Sequence, residues 1–358
     1  MSQTSVREKS GRPPRIRSKL EFLDALDPGK SLVDFFESVV GQARPLHLQM
    51  KVKSLPLIII SQLPRSGGSL LSQLFDNHPK LLVYPWEMKI GYPTKGRWPV
   101  PDLNQTPEHL FATLFHTELA YLSRSGYRKS GKAKHKQKRL KFDYSPIEHY
   151  ENFMRLLPGE RTQRTLFDTY FSTLFQAWQQ DVENKTYVAG FVPRMAMYPH
   201  SITDFFKTYP DGRLISILRD PADWFASRRA HTKHGAVRYD DVDDEMKAWN
   251  RMAENALSYK DEYENQFLLL SFKQLVTDRE GTMRHVCDWC GLEFDPSLLE
   301  QTFAGSPISP NTNFDGPLDL LAEAVFERKQ GLTDAERQRT YYLTERSRQK
   351  LQECGWTA

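Results

Sequence analysis

Leu57-Ile58-Ile59-Ile60-Ser61-Gln62-Leu63-Pro64-Arg65-Ser66-Gly67-Gly68-Ser69-Leu70-Leu71 is the stretch on which the reading of this chain turns. Its first four residues are a continuous apolar run, mostly β-branched, as expected of a strand buried on both faces. The run ends abruptly in a Pro/Arg/Ser/Gly loop. Leu70, Leu71, Leu74 and Phe75 then repeat at helical spacing. The prediction is buried strand, tight loop, helix. In such a unit the first helical N–H groups have no intrahelical partner, and the helix dipole places partial positive charge there. Gly67 and Gly68 allow the backbone close to an anion, Ser66 and Ser69 add hydroxyl donors, and Arg65 adds a permanent cation. The loop is ready for phosphate, although so short a signal taken alone also fits an ordinary βα turn. It is not a Walker A loop, which needs two glycines with four residues between them followed by Lys and Ser/Thr, and no acid stands nearby to hold Mg²⁺.

Outward from this unit, Leu81 to Tyr84 reads as a second strand and the Pro/Gly-rich residues 85–107 as an irregular wall or lid. Helices are expected near 107–122, 146–157 and 162–180. After Thr186 the rhythm is strand (187–192), helix (201–207), strand (214–218), helix from Pro221, a long helix (241–263), strand (267–270) and helix (281–290). Thr333 and Glu336 are spaced to open a final helix as a capping box. Strands alternating with helices imply right-handed crossovers and a three-layer α/β fold of P-loop type, its central parallel sheet flanked by helices.

A second site signal stands at another strand end. Leu214 to Leu218 runs into Arg219-Asp220-Pro221, and Ser227 follows on the helix that Pro221 opens. Ligands of open α/β sheets bind beyond the carboxyl ends of strands, so Arg65 and Arg219 can serve one crevice despite their distance in sequence. Two anionic groups on one ligand would suit them, although a local ion pair between Arg219 and Asp220 is the simpler reading of that motif alone.

Together these segments resemble the PAPS-dependent sulfotransferase family. Residues 64–71 (PRSGGSLL) are similar to its 5′-phosphosulfate loop and residues 218–227 (LRDPADWFAS) to its 3′-phosphate motif. Asn77-His78-Pro79, Phe272-Lys273-Gln274-Leu275-Val276, Arg328-Lys329-Gln330-Gly331-Leu332 and Cys354-Gly355-Trp356 extend the likeness over about residues 55–356. The resemblance implies PAPS as donor, PAP as product, no metal, and a hydroxyl acceptor. It implies donor binding by Arg65, Ser66, Gly67, Gly68, Ser69, Leu70, Arg219 and Ser227, with Arg328 and Lys329 closing on the 3′-phosphate. Arginine in the loop and Glu87 within Tyr84-Pro85-Trp86-Glu87-Met88 look like the bacterial and Golgi tyrosyl-protein or carbohydrate branch, which makes Glu87 the expected base. Burial beside Trp86 would raise its pKa, whereas a surface pair with Lys89 is the competing role. The family's frequent Lys-x-Pro element reads Phe191-Val192-Pro193-Arg194 here, so Arg194 is the candidate second catalytic cation. Another nucleotide-dependent phosphotransferase and a catalytically silent nucleotide- or glycan-binding relative are the alternatives.

The chain has 358 residues, with 49 Lys and Arg against 45 Asp and Glu, a net charge of +4. That is too mild to indicate nucleic acid. The excess is clustered at residues 1–19, expected to be a flexible arm, and at residues 124–141, where nine basic residues occur with no acid. The rest, residues 20–358, is expected to be one domain carrying this basic insertion. The insertion is either a solvated loop or an electrostatic guide for an acidic glycan or peptide acceptor. No apolar run is long enough for a membrane span, and no secretory signal is evident, which makes a cytoplasmic location the expectation. Three cysteines cannot complete a disulfide framework. Cys287 and Cys290 share one apolar helical pattern, which favours packing over redox or metal chemistry. His231 and His234 lack a third ligand and are read as solvent-facing or phosphate-adjacent.

Overall fold

A computed structural model of the chain describes residues 51–91, 96–127, 139–232, 241–308 and 331–357. The expected basic arm, most of the basic insertion, His234, the side chain of His231, and Arg328 and Lys329 lie outside these residues.

Five parallel strands form the central sheet: β1 (Leu57–Ile60), β2 (Leu81–Glu87), β3 (Tyr187–Phe191), β4 (Arg213–Leu218) and β5 (Phe267–Ser271), in the order β2-β3-β1-β4-β5. β1 is central and all four of its residues are fully buried, which is why it reads as uninterrupted apolar sequence. Alternate strand residues face two separate cores. Leu57, Ile59, Leu82, Tyr84, Val188 and Leu214 point to one side, and Ile58, Ile60, Leu81, Val83, Ala189 and Ile215 to the other. Helices cover both faces, giving the expected three layers.

The smaller core is closed by α1 (Gly68–Phe75) and by the helices that follow β5. The larger is closed by α2 (Pro107–Leu114), α3 (Glu118–Ser125), α4 (Pro146–Leu156), α5 (Gln163–Ala177), α6 (Pro199–Thr208), α7 (Pro221–Thr232) and the 21-residue α8 (Val242–Glu262). After β5 come α9 (Phe272–Thr277) and α10 (Arg279–Cys290), then a small hairpin of β6 (Thr302–Phe303) and β7 (Ser306–Pro307), and finally α11 (Asp334–Glu353). The Thr333/Glu336 capping box forms: Thr333 Oγ1 accepts from the Glu336 amide, and the Glu336 carboxylate accepts from the Thr333 amide.

Three boundaries differ from the sequence expectation, each for a local reason. The helix expected over 107–122 is two helices, because Phe115 leaves helical geometry and stacks on Phe111. β2 continues through Pro85 to Glu87. It is an edge strand whose register shifts between Val83 and Glu87, the setting in which a strand tolerates proline. A short helix, α9, follows β5 directly, capped by the Ser271 hydroxyl, which accepts from the Gln274 amide at 3.3 Å.

Candidate active site

The carboxyl ends of β1 and β4 are tied together before either motif begins. Ser216 Oγ donates to the Ser61 carbonyl at 2.5 Å, and the Ser61 amide donates to the Ile215 carbonyl at 2.9 Å. From this joint the loop 61–67 turns into α1. Two residues hold left-handed backbone, Arg65 at φ 75° and Gly67 at φ 106°. A side chain on Gly68 would collide with Gln62 Nε2 at 1.8 Å and with the Phe191 ring at 2.3 Å, so only glycine lets the helix start so close to β3. Gly67 is the N-cap and gives α1 no side-chain cap. The helix therefore presents its first amides to whatever lies in front of it. Ser66 sits at the same place, 1% exposed, and its hydroxyl has no hydrogen-bond partner among the described residues. A buried hydroxyl of this kind is costly unless a ligand engages it. An uncapped helix start, a buried hydroxyl and a half-buried arginine fit an anionic group.

The second motif is held quite differently. At the start of α7 the Asp220 carboxylate accepts from the amides of Ala222 (3.0 Å) and Asp223 (3.1 Å), so it caps the helix and fills the position that an anion takes at α1. Tyr341 of α11 donates to the same carboxylate. Arg219 is 4% exposed and lies with its guanidinium 4.6 Å from the centre of the Phe272 ring. Its carbonyl accepts from Trp249 Nε1 at 3.0 Å. Ser227, two turns along α7, is buried. Trp224 Nε1 donates to the Pro64 carbonyl at 2.9 Å, which joins α7 to the residue before Arg65. The two motifs thus meet at one edge of the sheet, and Phe272 stands between them, its ring 2.5 Å from where a Gly67 side chain would be.

Arg229, two residues beyond Ser227, pairs with Glu336 at 2.5 Å and donates to the Gly331 carbonyl. This brings the chain that follows Arg328 and Lys329 against the helix carrying Ser227. Of the remaining expected donor-binding residues, Ser69 is half-buried and lines a cleft, whereas the Leu70 side chain is packed in the smaller core. Leu70 can contribute only its backbone.

That cleft runs between α1 and the end of β2, and Glu87 and Trp86 line it with Ser69. Glu87 is not enclosed. Its side chain is 37% exposed and its carboxylate is 3.1 Å from the Lys89 ammonium, so the pair with Lys89 is formed at the rim of the cleft rather than away from it. Arg194 is exposed and has left-handed backbone (φ 73°). Its amide donates to the Gln62 carbonyl at 3.1 Å, which anchors its main chain beside the loop.

Several contributors were assigned no role by the sequence. Phe272 and Trp224 act through ring position, and Tyr127 and Phe303 reach the cleft from distant segments. Asp76, at the end of α1, accepts from Thr302 Oγ1 (2.8 Å) and the Gly305 amide (2.9 Å), and burial pushes its pKa up. Among the described residues no group of three or more His, Cys, Asp or Glu is placed to hold a metal ion. Cys287 and Cys290 are buried on α10, their thiols pushed up to about 11 and about 12 by burial, which keeps them protonated and unreactive.

A family model described as the sulfotransferase family matches residues 56–296. The chain belongs to the sulfotransferase family. That span contains both strand-end motifs, Glu87 and Arg194. Among solved structures, a sulfotransferase domain from the curacin biosynthetic pathway is 17% identical, covering 81% of this chain and 98% of its own, with a TM-score of 0.45. A sulfotransferase from Alicyclobacillus acidocaldarius is 14% identical over 80% of this chain and 100% of its own, TM-score 0.39. A mouse sulfotransferase complexed with PAP is 10% identical over 88% and 90%, TM-score 0.40. No curated protein matches the sequence. No helix among the described residues is long and apolar enough to cross a membrane.

Proposed function

We propose that this sulfotransferase takes PAPS as donor and transfers its sulfuryl group to a hydroxyl, giving PAP and a sulfate ester. The observation that carries the reading is the meeting of two chemically distinct anion sites across Phe272. The uncapped start of α1 with Ser66 and Arg65 is one. Arg219 with Ser227, beside a helix already capped by its own Asp220, is the other. A nucleotide with separate 5′ and 3′ phosphates would use both.

PAPS supplies the activated sulfuryl group. The α1 amides, Ser66, Ser69 and Arg65 hold the 5′ end and neutralise the charge left on the departing phosphate, an electrostatic role worth about 3–4 kcal/mol per donor. Arg219 and Ser227 hold the 3′-phosphate, with Arg328 and Lys329 completing it. Glu87 takes the proton of the acceptor hydroxyl as that oxygen bonds to sulfur. Lys89 orients the Glu87 carboxylate before the acceptor arrives. Arg194 is held next to the loop by its main chain, and its exposed side chain is the candidate for the second cation on the transferred group.

Calorimetric titration with PAP and with ATP, each with and without Mg²⁺, tests the donor. PAP binding without metal, together with transfer of label from PAPS to an acceptor, is the expected result. Preference for ATP with Mg²⁺ would instead make the chain a phosphotransferase on the same fold. PAP binding without transfer to any acceptor would make it a silent relative.

A further inference from the structure

The cleft beside Glu87 has walls of a definite kind. Trp86, Tyr127 and Phe303 supply three aromatic rings, and Val83 and Phe191 add apolar surface. Tyr127 and Phe303 are stacked at 4.1 Å and 11°, and Trp86 meets Tyr127 edge-on at 5.5 Å and 62°. The space enclosed between these walls is about 60 Å³, below the usual range for small-molecule sites, so the cleft admits a small, flat group and not the body of a polymer chain. Ser69, Ser72, Gln73 and Asp76 line it from one side, spaced as one face of α1, so the cleft follows the helix for about 10 Å. Its two ends differ. At the Ser69 end lies Glu87, which pairs with Phe191 in the sheet, the same Phe191 that touches Gly68. At the Asp76 end lies the β6–β7 hairpin, tied down by the Asp76 carboxylate.

Among the described residues the Tyr127 hydroxyl has no hydrogen-bond partner. The residue is 2% exposed, and Gln73 stands beside it outside bonding geometry, its carbonyl oxygen already accepting from Gln301 at 2.7 Å. Burial pushes the Tyr127 phenol up to about 12, so the hydroxyl keeps its proton and can donate. A buried donor facing a cleft without a partner is the complement of an acceptor atom on a ligand. The backbone of Tyr127 is fixed by reciprocal hydrogen bonds with Leu140 at 2.8 and 2.9 Å, so its ring is a rigid wall.

We infer that this cleft is the acceptor slot and that Tyr127 and Phe303 determine its specificity. The acceptor is a compact, flat hydroxyl compound, with its hydroxyl toward Glu87, its body against the Tyr127 and Phe303 rings, and a second polar atom accepting from Tyr127 Oη. The inference rests on the sulfuryl-transfer reading, and it turns away from a bulky acidic glycan or peptide as the group that enters the cleft.

4-Nitrophenol has the required parts, a hydroxyl at one end of a flat ring and hydrogen-bond acceptors at the other. Phenol lacks the second group, and methyl β-glucopyranoside lacks the flat body. Binding of all three to the full chain should be titrated with and without saturating PAP. The expected order is 4-nitrophenol tightest, phenol about three- to tenfold weaker, and the glucoside weakest. Tyr127→Phe should abolish the preference for 4-nitrophenol while leaving phenol binding in place. Phe303→Ala should weaken both aromatic ligands, and PAP affinity should be unchanged in both variants. Equal binding of 4-nitrophenol and phenol to the wild type, an undiminished preference in Tyr127→Phe, or tighter binding of the glucoside overturns the slot. Failure of PAP to bind overturns the donor reading instead, and the titrations without PAP still decide the slot.

Discussion

Arg219 lies face-on to Phe272 at 4.6 Å, and the other side of the matter is that the same ring fills the space a side chain on Gly67 would need. One aromatic residue therefore sets the position of a cation from β4 relative to a helix start from β1. Gly67→Ala should disturb both. Its left-handed backbone costs a non-glycine residue about 1–2 kcal/mol, and the new methyl lies 2.5 Å from Phe272. PAP affinity is expected to fall at least tenfold, measured by calorimetry on a variant whose fold is checked by circular dichroism. Arg219→Ala should produce a loss of similar size, and an unchanged PAP dissociation constant in Arg219→Ala would remove it from the nucleotide site.

Glu87→Gln keeps the shape of the residue and removes its capacity to take a proton. Turnover should drop by about 10²–10⁴ with PAP affinity within twofold of wild type. Steady-state kinetics beside a PAP titration separates the two quantities, and undiminished turnover eliminates Glu87 as base.

Asp76 carries two hydrogen bonds into the β6–β7 hairpin, whose turn residues Ala304 and Gly305 are both left-handed (φ 52° and 71°). Its pKa is raised because burial outweighs those bonds. The folded state therefore holds the Asp76 proton more tightly than the unfolded chain, and this contribution to stability is full below the ordinary carboxylate range and fades as pH rises through the raised value. Asp76→Ala should free the hairpin and loosen aromatic ligands in the cleft. Asp76→Asn retains an acceptor oxygen and should leave ligand binding nearer wild type while flattening the pH dependence of stability. The comparison is made by thermal denaturation across pH together with 4-nitrophenol titration.

His149 is fully enclosed, its Nε2–H donating to the Tyr170 carbonyl at 3.0 Å and its Nδ1 accepting from the Tyr144 hydroxyl at 2.7 Å. Burial lowers its pKa to about 3. Between pH 6.5 and about 3 the unfolded chain binds a proton here that the folded chain refuses. The stability contributed is present above pH 6.5 and is lost on acidification, at most about 5 kcal/mol. Urea unfolding at a series of pH values should show a steeper acid decline for wild type than for His149→Gln, and parallel declines would contradict the assignment.

Thiol titration offers a simple check on the Cys-x-x-Cys spacing. Cys354 is exposed, while Cys287 and Cys290 are buried with raised pKa values. One thiol per chain should react quickly with an aromatic disulfide reagent, and the other two only on unfolding.

The parts of this molecule readable from sequence are those whose physics is local. The β1 apolar run, the glycine loop and the Leu/Phe spacing of α1 lie within twenty consecutive residues, and Arg219 and Ser227 lie on one short strand-to-helix segment. The Thr333/Glu336 cap is likewise a four-residue affair. What was hidden depends on partners remote in the chain. Pro85 looked like the end of a strand because nothing near it reveals that β2 is an edge. Phe272 belonged to a recognisable segment, but its place between Gly67 and Arg219 follows only from β5 lying next to β4. Tyr127 sat in a basic run and passed for a loop residue, yet it stacks on Phe303, far along the chain. Asp220, suspected of a local ion pair, proved to be a helix cap because its carboxylate faces two backbone amides.

The central position of β1 has a consequence for how the chain must be made. Leu57 to Ile60 leaves the ribosome before the other strands of its sheet, but its neighbours there are β3 and β4, and β2, the next strand to emerge, pairs only with β3. At about 5–20 residues per second, the strand that carries the whole active-site loop waits on the order of ten seconds with neither partner synthesised. The most apolar strand is thus the one left longest without a neighbour during translation, which makes this interval, rather than the finished fold, the point at which the protein is most exposed to aggregation.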